Sequence, residues 1–515
     1  MSTLAIDSRL KLQMFLWYGV LAVAVLLLGI FLAADLYFIA LMVAGVVGLA
    51  TLPYHAQLGA RIAIATFGSA LILPVARGGV SVWLLAGIMG WSGVAVTLMV
   101  RRQSPAFGET VRRNKWVYIG TLGFCVVLLA LMRLKQIGFG SMGASNQGAR
   151  PFFENIISGI FPLLLVVIEM DEKTVFRLIV LQFVLVFTFV ITDASIALGK
   201  FEWVFYFLQY SPDAFNFEQA AENFGIRRFQ SLAGIGTATA TLLLLYNPLR
   251  SFVGQRAVWL IPVMLAAMAV GAVSGHRLVF IGLGFTVFLM ALAQRFFSLR
   301  NLLLVMGVML PLLSYIYLFT DTLPLPAQRA LSVLPGLKVD ALAQMDADNT
   351  YLVRMELFKT GWKMVPDYLW IGRGFPVYGA VLTTREHSFT ATVSLLAANG
   401  VFAVGPLAVM IDTGLPGFVF FMLMLFGGSL VAGRILRLLW LHRYEDKFAL
   451  ASGAMAAGWF SFLINWTIIQ AGEAAMLSSF MLPCGVLILC ERLLRRRTEH
   501  GLKETPDLAL ADHGS

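Results

Sequence analysis

Runs of about twenty apolar residues recur from Leu12 to Leu489, and that recurrence leaves a chain like this few folds to choose from. About twenty residues cross a bilayer core as helix, whereas barrel strands would alternate over about ten. Lipid offers the backbone no hydrogen-bond partner, so runs of this length must close their bonds internally as helices. Composition agrees, with 59% of the 515 residues hydrophobic and only 13% charged, against roughly 25% in a soluble globular chain.

The expected fold is therefore all-α and polytopic, with about fourteen transmembrane helices. They are placed near 12–32, 36–52, 62–76, 80–100, 116–132, 152–170, 175–192, 229–247, 257–273, 278–294, 301–320, 413–433, 448–469 and 475–491. The first run is too long for a signal-peptide core and has no convincing small-residue cleavage site, so it is expected to stay as a helix. One large polar segment, 321–412, interrupts the pattern between the eleventh and twelfth spans. The chain divides into helices over 1–320, a loop domain over 321–412, helices over 413–497 and a polar, disordered tail over 498–515.

Well over half of the 38 lysines and arginines fall in alternate loops when the N-terminus is placed inside, as the positive-inside rule requires. This orientation makes both termini cytoplasmic and turns 193–228, Ser274-Gly275-His276-Arg277 and 321–412 to the periplasm or cell exterior. The net charge of +10 then reflects cytoplasmic loops, and no nucleic-acid partner is implied. Cys125, Cys484 and Cys490 all lie in apolar spans and support neither a disulfide framework nor a zinc site. The glycine-rich 138–143 stretch lacks the Lys-Ser/Thr ending of a phosphate loop and reads as a flexible connection. Aromatic residues crowd 201–217, as in an interfacial helix, with a lipid-substrate groove as the sharper alternative.

Within the long segment, Asp348, Asn349 or Thr350 is expected to cap a helix running to about Val365, where Pro366 stops it. Leu357, Phe358, Gly361, Trp362 and Val365 would seat it on the membrane helices, with Arg354 on the same side. Gly372 and Gly374 permit a tight turn after it.

Arg354, Trp362, Pro366, Gly372 and Gly374, followed by Asp412, Gly414 and Gly417 at a helix entry, form an ordered set of polar-segment signatures. Upstream stand Arg228-Phe-Gln-Ser-Leu-Ala-Gly and Ser274-Gly-His-Arg277. Over residues 220–435 this set resembles the O-antigen ligase and polymerase family. The resemblance implies transfer of a glycan from a polyprenyl-diphosphate carrier to an acceptor hydroxyl at the periplasmic face of the bacterial inner membrane. The implied partners are that lipid-linked donor, a glycan or lipid-linked acceptor and membrane lipids. No cofactor and no metal is expected.

A departing diphosphate is a polyanion, and it is steadied by cations more than by a general acid. Arginine suits this task, because its guanidinium stays charged and grips phosphate through two parallel hydrogen bonds. Arg354 and Arg277 are the candidates for catalysis on the leaving group. Arg228 (or its neighbour Arg227), Arg373 and Arg385 would bind the substrate. The plainer reading of such arginines is snorkelling to the interface or pairing with a nearby acid.

The acceptor hydroxyl needs a base, and histidine is the natural group near neutral pH. The resembling family has His-Asn about nine residues before the acid of its helix entry, whereas this chain has Ala403-Val404 there. His387, flanked by Arg385 and Glu386, is the candidate base, and His276 is the alternative, otherwise a binding group. If neither acts, the acceptor would lose its proton late. Asp346-Ala347-Asp348 resembles a metal-holding Asp-x-Asp pair, but carboxylates are favoured at a helix start without any metal. A lipid-linked-glycan flippase or other transporter, or a non-catalytic membrane scaffold, would also suit this many spans.

Overall fold

A computed structural model describes residues 37–73, 79–100, 105–137, 149–209, 230–375, 389–469 and 477–504, and these are almost entirely helical. The first part holds α1 (Tyr37–Thr51), α2 (His55–Thr66), the strands β1 (Ile72–Leu73) and β2 (Val80–Ser81), α3 (Val82–Val100), α4 (Pro105–Arg113) and α5 (Lys115–Leu134). Next come α6 (Arg150–Ser158), α7 (Phe161–Val167), α8 (Glu172–Leu185), α9 (Thr188–Leu198), α10 (Gln230–Tyr246), α11 (Ala257–Val273), α12 (Leu278–Ala293) and α13 (Leu299–Leu318). The last are α14 (Leu325–Leu331), α15 (Ala341–Tyr368), α16 (Phe389–Ala398), α17 (Gly405–His442), α18 (Lys447–Ile464) and α19 (Ser478–Glu504).

Among the described residues, 7 helical stretches are long and apolar enough to cross a membrane: 82–99, 115–134, 150–167, 172–198, 299–318, 405–442 and 447–468. Shorter apolar helices cover 231–246, 257–273 and 278–294's first sixteen positions, Leu278–Ala293. The run at 62–76 differs from the expected helix. Helix α2 ends at Thr66, Phe67 turns extended, and the following residues pair as β1 with β2, Ile72 opposite Ser81. A bridge from Leu71 to Leu208 then ties this hairpin to the 201–209 stretch. Of the aromatic 201–217 stretch, residues 210–217 lie outside the described residues; Glu202–Tyr206 is a short 3-10 turn, and Trp203 and Tyr206 are exposed. The first expected span and the 138–143 stretch lie outside the described residues. Helix α19 continues past Thr498 to Glu504.

Helices α5 and α17 pack so closely that a Cβ on Gly120 would stand 2.4 Å from the backbone nitrogen of Met424. Such small-residue contacts are how helices associate where water supplies no hydrophobic drive. Around them α7, α18 and α19 bury Phe124, Phe421, Trp459, Trp466 and Phe480, with Phe421 and Trp466 ring centroids 5.7 Å apart. Helix α13 is the opposite case, since none of its residues is buried. Apolar on all sides, it suits a lipid surrounding rather than a protein one.

Charged pairs collect in two layers. One contains Glu491, which is buried between Arg113 at 2.9 Å and Arg434 at 3.5 Å, together with Arg495–Glu109, Arg497–Asp446 and Arg250–Glu445. The other contains Arg277, Arg329, Asp346, Arg373 and Asp412. Leu415, just past the break in α17 at Gly414, and Arg434 are about 29 Å apart at 1.5 Å per residue. The two layers therefore occupy opposite ends of the bundle.

Candidate functional site

The second charged layer is assembled from α14, α15, α16 and the start of α17. Helix α15 begins at Ala341, capped by Asp340, whose carboxylate accepts from Leu342 N at 2.8 Å. It therefore starts well before the expected caps at 348–350, and it continues through Pro366 to Tyr368. Pro366 removes the bond its N–H would make to the Trp362 carbonyl, and the helix ends two residues later. Asp346 consequently lies inside the helix, and its carboxylate is spent on Arg329 rather than on a cap.

At 3.6 residues per turn, Ala343, Asp346, Ala347, Thr350, Arg354, Leu357 and Gly361 share one face of α15. Ala343, Asp346, Ala347, Leu357 and Gly361 on it are buried, and Arg354 is half-buried. Leu357 joins Val393, Phe402, Leu407 and Ile411 in a small separate core that seats α15 and α16 on α17. Phe358 and Trp362, expected in this seam, are instead 36% and 52% exposed and pack edge-on against each other at 6.1 Å. The seam has the helical period but is rotated by about one residue, toward Gly361, where the Leu407 and Phe402 side chains lie against the backbone.

Arg329, on α14, is only 5% exposed and ties this face to the Ser274–Arg277 turn. Its Nε donates to the Asp346 carboxylate, Nη1 donates to the Gly275 carbonyl at 2.5 Å, and Nη2 donates to Thr350 Oγ1 at 3.1 Å. Arg277 answers in the other direction. Its Nε donates to the Arg329 carbonyl at 3.3 Å and its Nη2 to Ser332 Oγ at 2.9 Å. Ser332 Oγ in turn donates to that same carbonyl at 2.8 Å.

Arg277 and the α15 face bearing Arg354 therefore meet across Arg329, with Arg354 about 6 Å beyond Thr350 along the helix axis. Arg277, Arg329 and Asp346 are linked to one another here, and Arg354 lies on the same face of α15 as Asp346. His276 is half-buried in the same turn, and its backbone N–H donates to Ser274 Oγ at 3.2 Å.

Arg373 occupies a second, adjoining constellation. Its Nη2 donates to Asp412 Oδ1 at 2.8 Å and its Nη1 to the Ala397 carbonyl at 2.9 Å, while its guanidinium stands 5.6 Å from the Phe402 ring centre. Asp412 is fully buried, so this arginine is held by protein groups and serves to join α16 and the 369–375 strand-like link to α17. Backbone bonds reinforce the join, from Arg373 N to the Ile411 carbonyl at 2.8 Å and from Gly374 N to the Asp412 carbonyl at 2.9 Å.

Arg228, Arg385 and His387 lie outside the described residues. Of the other candidates, Arg277, His276 and Arg354 come to one corner and Arg373 to the neighbouring one. Sequence reasoning passed over Arg329, whose signal is faint: one charge in the otherwise uncharged Leu325–Leu331 helix. Comparison with known protein families returns no matching family model, and comparison with curated proteins returns no match.

Proposed function

We propose that this chain is a metal-independent membrane glycosyltransferase of the O-antigen ligase or polysaccharide polymerase type. It acts at the periplasmic face of the bacterial inner membrane, with both termini cytoplasmic. The donor is a polyprenyl-diphosphate-linked glycan and the acceptor is a hydroxyl on a second glycan or on a lipid-linked glycan. In the reaction the acceptor oxygen bonds to the anomeric carbon, and the bond from that carbon to the diphosphate breaks. The diphosphate leaves with the electron pair, and the hydroxyl proton passes to a base, His387 or His276.

The observation that carries this reading is the meeting of the Arg277 turn with the Arg354 face of α15 across Arg329. A cluster of arginines favours a polyanion over a neutral ligand, and bidentate guanidinium contacts match phosphate oxygens. The separation of the two charged layers also supports the orientation, because the layer with most of the basic residues is the one the positive-inside rule assigns to the cytoplasm.

A transporter of lipid-linked glycans is the second reading, favoured by the break inside α17 at Gly414 (φ 71, ψ 178) beside buried Asp412. Broken helices with buried charges are how transporters hold their cargo. Purified protein in detergent, supplied with lipid-diphosphate glycan and acceptor, separates the two. The transferase forms the new glycosidic product without a membrane to cross, whereas a transporter forms none.

A further inference from the structure

We propose that Arg329 is the positioning residue of this site, holding the Arg277 turn and the Arg354 helix face in one fixed relation without itself touching substrate. Two separated pieces of chain converge on it. Its side chain reaches the Gly275 carbonyl in the turn and both Asp346 and Thr350 on α15. Its backbone carbonyl receives Arg277. The turn lies 52–54 residues and the helix 17–21 residues from Arg329 in sequence, and this one guanidinium bonds both.

The geometry of the group is what the task needs. A guanidinium offers five N–H donors in a planar fork and keeps its charge when buried, so it can make three bonds to two elements at once. Lysine carries the same charge at one point on a flexible stem. Arg329 and Asp346 pair with each other at the centre, between Arg277 in the turn and the α15 face that bears Arg354. A small displacement of either would be felt strongly, since a misplacement of about 1 Å at a reacting centre can cost about a hundredfold in rate.

The proposal rests on the transferase reading for its effect on substrate, but not for the coupling itself, so the test has two parts on the full chain. In the first, hydrogen exchange is followed in the wild type, Arg329→Lys and the pair deletion Arg329→Ala/Asp346→Ala, which leaves no unpaired buried charge. Exchange should rise together in 272–278 and 346–354 in both variants. A rise confined to 325–332 overturns the proposal, because the turn and the helix would then hold their places without Arg329.

In the second part, binding of a short-chain prenyl diphosphate is measured in the same proteins with and without Arg277→Ala. Arg277→Ala should weaken binding about tenfold or more in the wild type and far less in the pair deletion, a non-additivity that a merely structural tie would not produce. An equal loss in both backgrounds overturns the proposal. If wild-type protein binds no prenyl diphosphate, the transferase reading fails, and the exchange result alone decides the role of Arg329.

Discussion

Gly372 and Gly414 cross backbone to backbone, so that a Cβ added to Gly414 would lie 2.8 Å from Gly372 N, and one added to Gly372 only 2.3 Å from the Asp412 carbonyl oxygen. Gly414 also holds φ 71, ψ 178, a conformation reserved for glycine. At this crossing the segment after α15 is laid into the break in α17, and Leu415 N reaches back to the Leu369 carbonyl at 2.6 Å. Gly414→Ala should cost about 1–3 kcal/mol from backbone strain alone. Gly372→Ala should cost a similar amount by forcing the two backbones apart. Thermal unfolding in detergent checks both, and wild-type midpoints would show that the two backbones are not in contact.

The pair beside that crossing makes a sharper case. Asp412 is fully buried, its Oδ1 accepts from Arg373, and its Oδ2 has no partner among the described residues. Removing one member strands the other charge. Asp412→Ala should therefore destabilise by about 3–5 kcal/mol, while the double change Arg373→Met/Asp412→Leu should recover most of the loss. A double variant no more stable than the single one would mean that Arg373 is solvated and the pair unimportant.

Much of this architecture can be read from residues alone, and the rest could not be for physical reasons. Apolar run length identifies α3, α5, α13, α17 and α18 directly, because a bilayer tests nothing but length and hydropathy. It fails at 62–76, where an equally apolar run turns into a hairpin held by the Leu71–Leu208 bridge, a contact between residues far apart in sequence. The same limit applies to the site. Arg277 and Arg354 stand out by position, but Arg329 acts only through partners at 275, 346 and 350, and nothing local marks it. The start of α15 was misplaced because Asp340 and Asp348 are equally good caps by residue type, and tertiary packing of Ala343 and Ala347 decides between them.

At the far end of the bundle, burial separates two ion pairs of similar chemistry. The Glu109 carboxyl is held below the usual carboxylate range by a hydrogen bond and the charge of Arg495. A group lowered in this way contributes above its unfolded value and loses that contribution as pH falls through the folded one. About half of the Glu109 side chain is exposed (52%), so solvent and salt screen the pair, and Glu109→Gln should leave the unfolding midpoint nearly unchanged. Glu491 has only 2% of its side chain exposed, between Arg113 and Arg434. Glu491→Gln should destabilise markedly, by about 3–5 kcal/mol. Unfolding of both variants at neutral pH, with and without added salt, checks the contrast; equal effects would mean that burial is not what sets the strength of these pairs.

Arg354 is where the reading of the site meets activity most directly. It is half-buried on the α15 face that Arg329 fastens, one turn past Thr350, and its helix is anchored on both sides of it by Asp346 and by Leu357. Asp346 and Leu357, which fix the helix, remain in place when Arg354 is removed. Arg354→Ala should accordingly unfold close to the wild-type temperature yet lose about a hundredfold or more in glycan transfer, the scale seen when one preorganised donor to a developing charge is deleted. Arg354→Lys should recover only part of this, since a point charge cannot make paired contacts to a diphosphate. Turnover and donor KM, measured with purified protein and lipid-diphosphate glycan, check the split. Loss confined to turnover places Arg354 on the leaving group as it departs, and a rise in KM alone places it on the bound donor. Full activity in Arg354→Ala would remove it from the site, and the arginines of this corner would then serve only to bind the membrane surface.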